Sequence, residues 1–278
     1  MNSSLLSQRD ASPAIAHNSF GNGAPVLLIH GLFADKEQWT PLARLLALRG
    51  HQVIAPDLPG FGRSTGFDLS NYRLEQQVQS LHSFVRGLGI ERLDVAGNSM
   101  GGAIAELYAQ RYPEEVRTVA FLGAPFGYTP WDEPMREAIF RGTNPFIPTS
   151  DAELDAEMGL LFNHPPHIEP QRRKTLLAGY LTQNRHYVQV WNVVNMYDDV
   201  LKRTPLAPKP TLIVWGRNDH VFGAQAAQSL QRRIAGSELH QMANAGHLLH
   251  LENAGEVAPL YAGFLHALPI ATPLRAMK

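Results

Sequence analysis

A serine flanked two positions away by glycine on each side, in Gly97-Asn98-Ser99-Met100-Gly101, follows the apolar run Leu93 to Ala96 and precedes a helix-like run from Ala103 to Arg111. A strand turning sharply into a helix forces the residue at its apex into strained backbone space. Only glycines at the flanking positions let the two elements close around it. The Ser99 hydroxyl then stands clear of the sheet at a helix N-terminus, where backbone N–H groups stabilise an oxyanion. That is chemistry suited to acyl transfer.

A serine hydroxyl is a weak nucleophile until a base takes its proton, and the base needs a carboxylate to fix its tautomer and steady the imidazolium. Trp215-Gly216-Arg217-Asn218-Asp219 places Asp219 in the loop leaving a long apolar strand, and Asn244-Ala245-Gly246-His247 places His247 after a further strand. Asp57, Asp198 and Asp199 compete for the carboxylate role but read as turn or surface groups. Of twelve histidines, His250 is the close rival to His247; it sits between leucines, as a core-facing residue does. Two donors are needed for the oxyanion. Met100 N–H, directly after the nucleophile, is one; Leu32 N–H, in the loop His30-Gly31-Leu32, is the other, with Phe33 behind it. His30 is expected to order that loop by hydrogen bonding.

The elements that must position these groups alternate along the chain. Val26 to Ile29 and Gln52 to Ala55 read as short buried strands, with Trp39, Leu42, Leu45 and Leu46 at helical spacing between them. A Pro- and Gly-punctuated loop, Asp57 to Ser64, follows, then a helix with Leu74, Val78, Leu81, Val85 and Leu88 on one face. Val116 to Leu122, Thr211 to Trp215 and an edge strand, Glu238 to Met242, complete a mostly parallel sheet covered by helices on both faces. The active site of such a fold lies at the carboxyl ends of its strands.

Residues 126–203 break the alternation and read as an inserted helical cap, with a capping box at Ser150 to Glu153 and an apolar stripe of Tyr187, Val190, Trp191 and Val194. Phe33, Phe126, Trp131, Phe146 and Trp191 are the expected substrate-binding residues, and Phe162, Tyr180 and Met196 join them as candidate lining. The core is expected over 24–125 and 204–278, after a polar lead-in, 1–23, that reads as disordered or loosely held.

With 278 residues, 44% of them hydrophobic, the chain can bury a large core. A formal net charge of −1 offers no global field for nucleic acid. The absence of cysteine excludes thiolate chemistry and fits a cytoplasmic protein. No signal peptide is recognised, because residues 1–23 are polar with no continuous apolar core after a basic start, and no integral membrane segment, because Pro259, His266, Pro269 and Pro273 interrupt the apolar C-terminal stretch. His164-Pro165-Pro166-His167 has no third ligand and reads as a rigid turn, so no metal site is assigned.

Together, His30-Gly31-Leu32, Asp57-Leu58-Pro59-Gly60-Phe61-Gly62-Arg63-Ser64, Gly97 to Gly102, Gly216-Arg217-Asn218-Asp219 and Gly246-His247 make residues 25–268 resemble the α/β-hydrolase family. The cap start, Asn144-Pro145-Phe146-Ile147-Pro148, is similar to the monoacylglycerol-lipase and lipase/esterase branch. The resemblance implies a cofactor-free serine hydrolase of carboxylic esters, with Ser99, Asp219 and His247 as its triad and a small-molecule ester of medium acyl chain, or a monoacylglycerol, as substrate. Two departures stand out: Pro259 falls inside the expected final helix, and the N-terminus lacks the membrane anchor of some animal relatives. A serine elbow disfavours dehalogenase and epoxide hydrolase chemistry, which needs a carboxylate nucleophile. Hydrolysis of carbon–carbon bonds in vinylogous 1,5-diketones uses the same triad and is the alternative. A non-catalytic receptor on this fold usually lacks a triad member. The sequence does not specify an oligomeric state.

Overall fold

Seven strands follow the apolar runs in the computed structural model, which describes residues 14–268. They are β1 (His17–Phe20), β2 (Ala24–Ile29), β3 (His51–Pro56), β4 (Leu93–Ser99), β5 (Val116–Pro125), β6 (Thr211–Gly216) and β7 (Glu238–Met242). Their spatial order is β1-β3-β2-β4-β5-β6-β7, and every pairing is parallel except β1 against β3. Between the strands run α1 (Thr40–Ala47) after β2, α2 (Leu74–Gly87) after β3, and α3 (Met100–Arg111) after β4. After β5 come α4 (Glu133–Phe140), α5 (Asp151–Leu161), α6 (Pro170–Asn195) and α7 (Asp198–Leu201). The chain closes with α8 (Gln225–Arg233) after β6, then α9 (Leu249–Glu252) and α10 (Ala254–Ala267) after β7.

Alternation of side chains divides each strand between two cores. Leu27, Ile29, Val95 and Phe121 pack against α2, α3 and α8 through Val78, Leu81, Ile104 and Leu230. Val26, Leu28, Ala96 and Leu122 pack against α1 and α10 through Leu42, Leu46, Val257 and Tyr261. A strand buried on both faces has no reason to alternate apolar with polar, which is why these segments read as continuous apolar runs. Parallel pairing also sends β2, β4, β5, β6 and β7 to the same edge of the sheet, so the loops carrying Leu32, Ser99, Phe126, Asp219 and His247 meet there.

Two expectations change. The lead-in is not loose throughout: β1 lies within it, pairing His17 with Pro56 and Phe20 with Val53, while residues 1–13 fall outside the described part. An edge strand needs a partner on one side only and is half-buried here, so it carries no apolar run to betray it. The final helix is also continuous through Pro259. Burial of Val257, Ala258, Tyr261, Ala262 and Leu265 offsets the interior proline, which costs a helix about 3 kcal/mol.

Polar contacts hold the helices inserted between β5 and β6 to one another and to the rest of the chain. Ser150 caps α5 by accepting Glu153 N–H, and Glu153 reaches back to Thr149 N–H at 2.7 Å rather than to Ser150 itself. Arg173 at the start of α6 pairs with Asp155 at 2.7 Å and with Asp151. Tyr72 meets His186 Nε2 at 2.9 Å, Tyr197 donates to Glu75, and Leu248 N–H donates to Leu161 O at 3.0 Å.

Candidate active site

Ser99 has φ 54° and ψ −123°, a conformation that costs a side-chain-bearing residue about 1–3 kcal/mol. Its two glycines make the turn possible. A Cβ on Gly97 would lie 2.1 Å from Gly101 O, and one on Gly101 would lie 2.0 Å from Ile29 O, so neither position accepts any other residue. The loop after β2 runs alongside: a Cβ on Gly31 would sit 3.4 Å from Ser99 Cβ.

Phe33 is the other non-glycine residue with positive φ among those described, at 57°. This strained loop carries Leu32, whose N–H donates to no backbone carbonyl among the described residues. His30 orders it as expected. Its Nδ1–H donates to Gly31 O at 2.8 Å and its Nε2 accepts Leu58 N–H at 2.9 Å, which fixes the tautomer. Burial lowers the His30 pKa and keeps the ring neutral.

Asp57 is not the turn or surface carboxylate expected. It is fully buried and accepts Lys36 Nζ at 2.7 Å, Lys36 N–H at 2.8 Å and Arg63 N–H at 2.8 Å. Burial alone would raise its pKa, but Lys36 and the two N–H groups outweigh that and hold the carboxyl below its ordinary range. The result locks the loops after β2 and β3 together. Asp198 and Asp199 pair with Lys202, at 2.7 and 3.3 Å.

His247 lies between β7 and α9, buried, with Nδ1 2.9 Å from Asp219 Oδ2. The other carboxylate oxygen, Oδ1, accepts the N–H groups of Val221 and Phe222 at 2.9 Å each, so the carboxylate is fixed on both sides. Asp219 therefore holds the proton on Nδ1 and leaves Nε2 as the basic nitrogen. Gly216 lets the two loops touch, since a Cβ there would fall 2.3 Å from Ala245 O and Gly246 O. His250, the rival, is buried and stacked on Trp39 at 4.1 Å, with its pKa pushed down to about 3 by burial; neither of its ring nitrogens has a hydrogen-bond partner among the described residues.

Ser99, Met100, Leu32 and His247 line a single cavity of about 640 Å³. No hydrogen bond joins the Ser99 hydroxyl to His247 in this structure; such contacts commonly tighten only around substrate. Phe33, Phe126, Trp131, Phe146 and Trp191 all reach the cavity wall, as do Phe162 and Tyr180. Trp131 stacks on Phe222 at 4.6 Å, and Phe222 in turn lies 5.7 Å from the His247 ring, so the aromatic wall runs up to the imidazole. Met196 is the exception. It sits just past the end of α6, 71% exposed, and does not line the cavity.

The polar residues Glu157 and Gln38 also line the cavity, and the sequence reading passed over both. Glu157 had a signal. With Leu154, Met158 and Leu161 it forms the i, i+3, i+4, i+7 face of α5 that packs inward, where a carboxylate is out of place.

A family model described as alpha/beta hydrolase fold matches residues 24–254. The chain belongs to that family. Within the alpha/beta hydrolases it is 29% identical to Lipase 1 of Psychrobacter immobilis over 90% of this chain and 79% of the lipase. It is 26% identical to a monoacylglycerol lipase of Xenopus laevis over 89% of this chain and 77% of that enzyme. Among solved structures it resembles a bacterial membrane phospholipase A, with a TM-score of 0.80 and 29% identity over 91% of this chain and 82% of the other. Among the described residues, no helix is long and apolar enough to cross a membrane.

Proposed function

We propose that this alpha/beta hydrolase is a serine hydrolase of carboxylic esters, taking medium-chain acyl esters or monoacylglycerols as its small-molecule substrates. The observation that carries the reading is the 2.9 Å contact of His247 Nδ1 with Asp219, which turns a basic Nε2 toward the cavity that also holds the strained Ser99. The lipase relatives support the ester class.

In the proposed reaction the ester carbonyl carbon enters against Ser99 with its oxygen toward the Leu32 and Met100 N–H groups. His247 Nε2 takes the hydroxyl proton as Ser99 Oγ forms the bond to carbon, and the carbonyl electron pair moves to the oxyanion. Collapse expels the alkoxide, which takes the proton from His247. Water then repeats the sequence on the acyl-serine, releasing the acid and restoring the hydroxyl. Asp219 keeps its contact with His247 Nδ1 throughout, orienting the ring and stabilising the imidazolium. The helices over the cavity exclude water and supply the aromatic wall for the acyl chain.

The test is hydrolysis of p-nitrophenyl octanoate by parent and Ser99→Ala. Turnover by the parent, falling by about 10³-fold or more in the variant, is the expected result. Parent-like turnover by Ser99→Ala overturns the assignment. Faster cleavage of a vinylogous 1,5-diketone than of any ester would favour carbon–carbon hydrolysis.

A further inference from the structure

Glu157 is 3% exposed, yet it faces the cavity from α5. Tyr180 on α6 donates to its Oε1 at 3.2 Å, whereas Oε2 has no partner among the described residues. No cation pairs with it there either, and burial pushes its pKa up to about 8, so the neutral acid is the form that predominates at pH 7. A carboxyl kept in this state costs the fold free energy that a leucine at the same place would not. An enzyme that bound only hydrocarbon at this wall would gain nothing from it. The position is not remote from the chemistry. Tyr180 packs edge-on against Tyr187 at 5.7 Å, and Tyr187 against Phe33 at 4.9 Å, in the strained loop that carries Leu32. Gln38, which also lines the cavity, carries a buried side-chain nitrogen, Nε2, that likewise has no partner among the described residues.

We infer that Glu157 and Tyr180 form a polar subsite that hydrogen-bonds an aliphatic hydroxyl of the substrate, making Glu157 a specificity residue for hydroxyl-bearing esters over otherwise identical plain ones. The inference rests on the ester-hydrolase reading above. A hydroxyl suits the site because it both accepts from a protonated carboxyl and donates to an ionised one; an ammonium group suits only the ionised form. Two sources supply the group, the alcohol half of the ester or a hydroxylated acyl chain.

The experiment measures kcat/KM on two matched pairs, mono-octanoylglycerol with propyl octanoate, and ethyl hydroxyoctanoate with ethyl octanoate. Parent, Glu157→Leu, Glu157→Gln and Tyr180→Phe are compared after a thermal melt of each. The expected result is that Glu157→Leu lowers the hydroxylated member of one pair by about tenfold, with the plain member unchanged or faster. Glu157→Gln, which keeps a donor and an acceptor, restores most of the preference, and Tyr180→Phe weakens it by less than Glu157→Leu does. The pair that responds identifies the source of the hydroxyl. Parallel changes in both members of both pairs, or none, overturn the subsite. Should Glu157→Leu not fold, Tyr180→Phe carries the test: a smaller loss confined to the hydroxylated member of one pair is expected, and parallel changes in both members, or none, overturn the subsite. Binding to the parent of octyl glyceryl ether against octyl propyl ether, and of hydroxyoctanoate against octanoate, reads the preference without turnover. Tighter binding of a hydroxylated ligand that Tyr180→Phe weakens supports the subsite even if no ester is cleaved, and equal binding in both pairs overturns it.

Discussion

Asn98 holds His247 by its backbone: the Asn98 side-chain amide donates to His247 O at 3.1 Å, bridging 149 residues of sequence, and to Leu122 O at 2.9 Å. The residue before Ser99 thus fixes both the C-terminal part of β5 and the loop that carries the His247 imidazole. Space for the bridge comes from Gly123, where φ is +99° and a Cβ would fall 2.3 Å from Asn98 Nδ2.

Asn98→Ala removes the side-chain donor from two carbonyls of buried residues, and a carbonyl so left unsatisfied costs about 1–3 kcal/mol. The expected outcome is a lower urea midpoint together with a drop in kcat larger than any change in KM, because His247 loses its placement rather than the cavity its shape. Equilibrium unfolding and steady-state kinetics on one ester check both parts.

Asp219→Asn keeps an oxygen for the Val221 and Phe222 N–H groups but turns its remaining donor toward His247 Nδ1, stabilising the wrong tautomer. Activity should fall on the order of 10⁴-fold with the melting temperature little changed. A variant as active as the parent would remove Asp219 from the mechanism.

Lys36→Met leaves the Asp57 carboxylate buried without its cation, a change that costs about 3–5 kcal/mol. Thermal melts should show a clear loss of stability. Lys36→Met combined with Asp57→Asn should recover much of it, since the uncompensated charge is then gone. A double variant no better than the single one would show that the charge pair is not what joins the two loops.

The sheet was legible because strands buried on both faces spell themselves as apolar runs, and the elbow was legible because Gly97 and Gly101 have no sterically permitted substitute. Asp219 and His247 could be placed at strand ends by order along the chain. What the sequence hid was contact between loops. Lys36 and Asp57 lie far apart in sequence and meet only because β2 and β3 pair in parallel, bringing their exits side by side. Met196 belongs by composition with the cavity aromatics, but α6 ends one residue before it and turns it to solvent. β1 was obscured by its polarity, and Glu157 because a carboxylate gives no apolar signal of burial.

Glu157 also makes stability depend on pH in a predictable direction. Below the ordinary glutamate range both folded and unfolded chains hold its proton. As pH rises from there toward about 8 the unfolded chain releases the proton while the folded chain keeps it, so this residue's contribution to stability declines across that window. Glu157→Gln does not titrate. Its melting temperature, relative to the parent, should rise by a few degrees between pH 5 and pH 8, as read by calorimetry at several pH values. A constant difference would mean that Glu157 ionises normally in the fold.

The central claim is that Ser99 is the nucleophile and that His247 activates it. Treatment of the parent with a fluorophosphonate ester, followed by peptide mass spectrometry, tests it most directly, since the reagent bonds far faster to an activated serine than to an ordinary one. One phosphonylated residue, Ser99, is expected, with labelling strongly slowed in His247→Ala. Labelling at another serine, or labelling of Ser99 at the same rate without the imidazole, would contradict it.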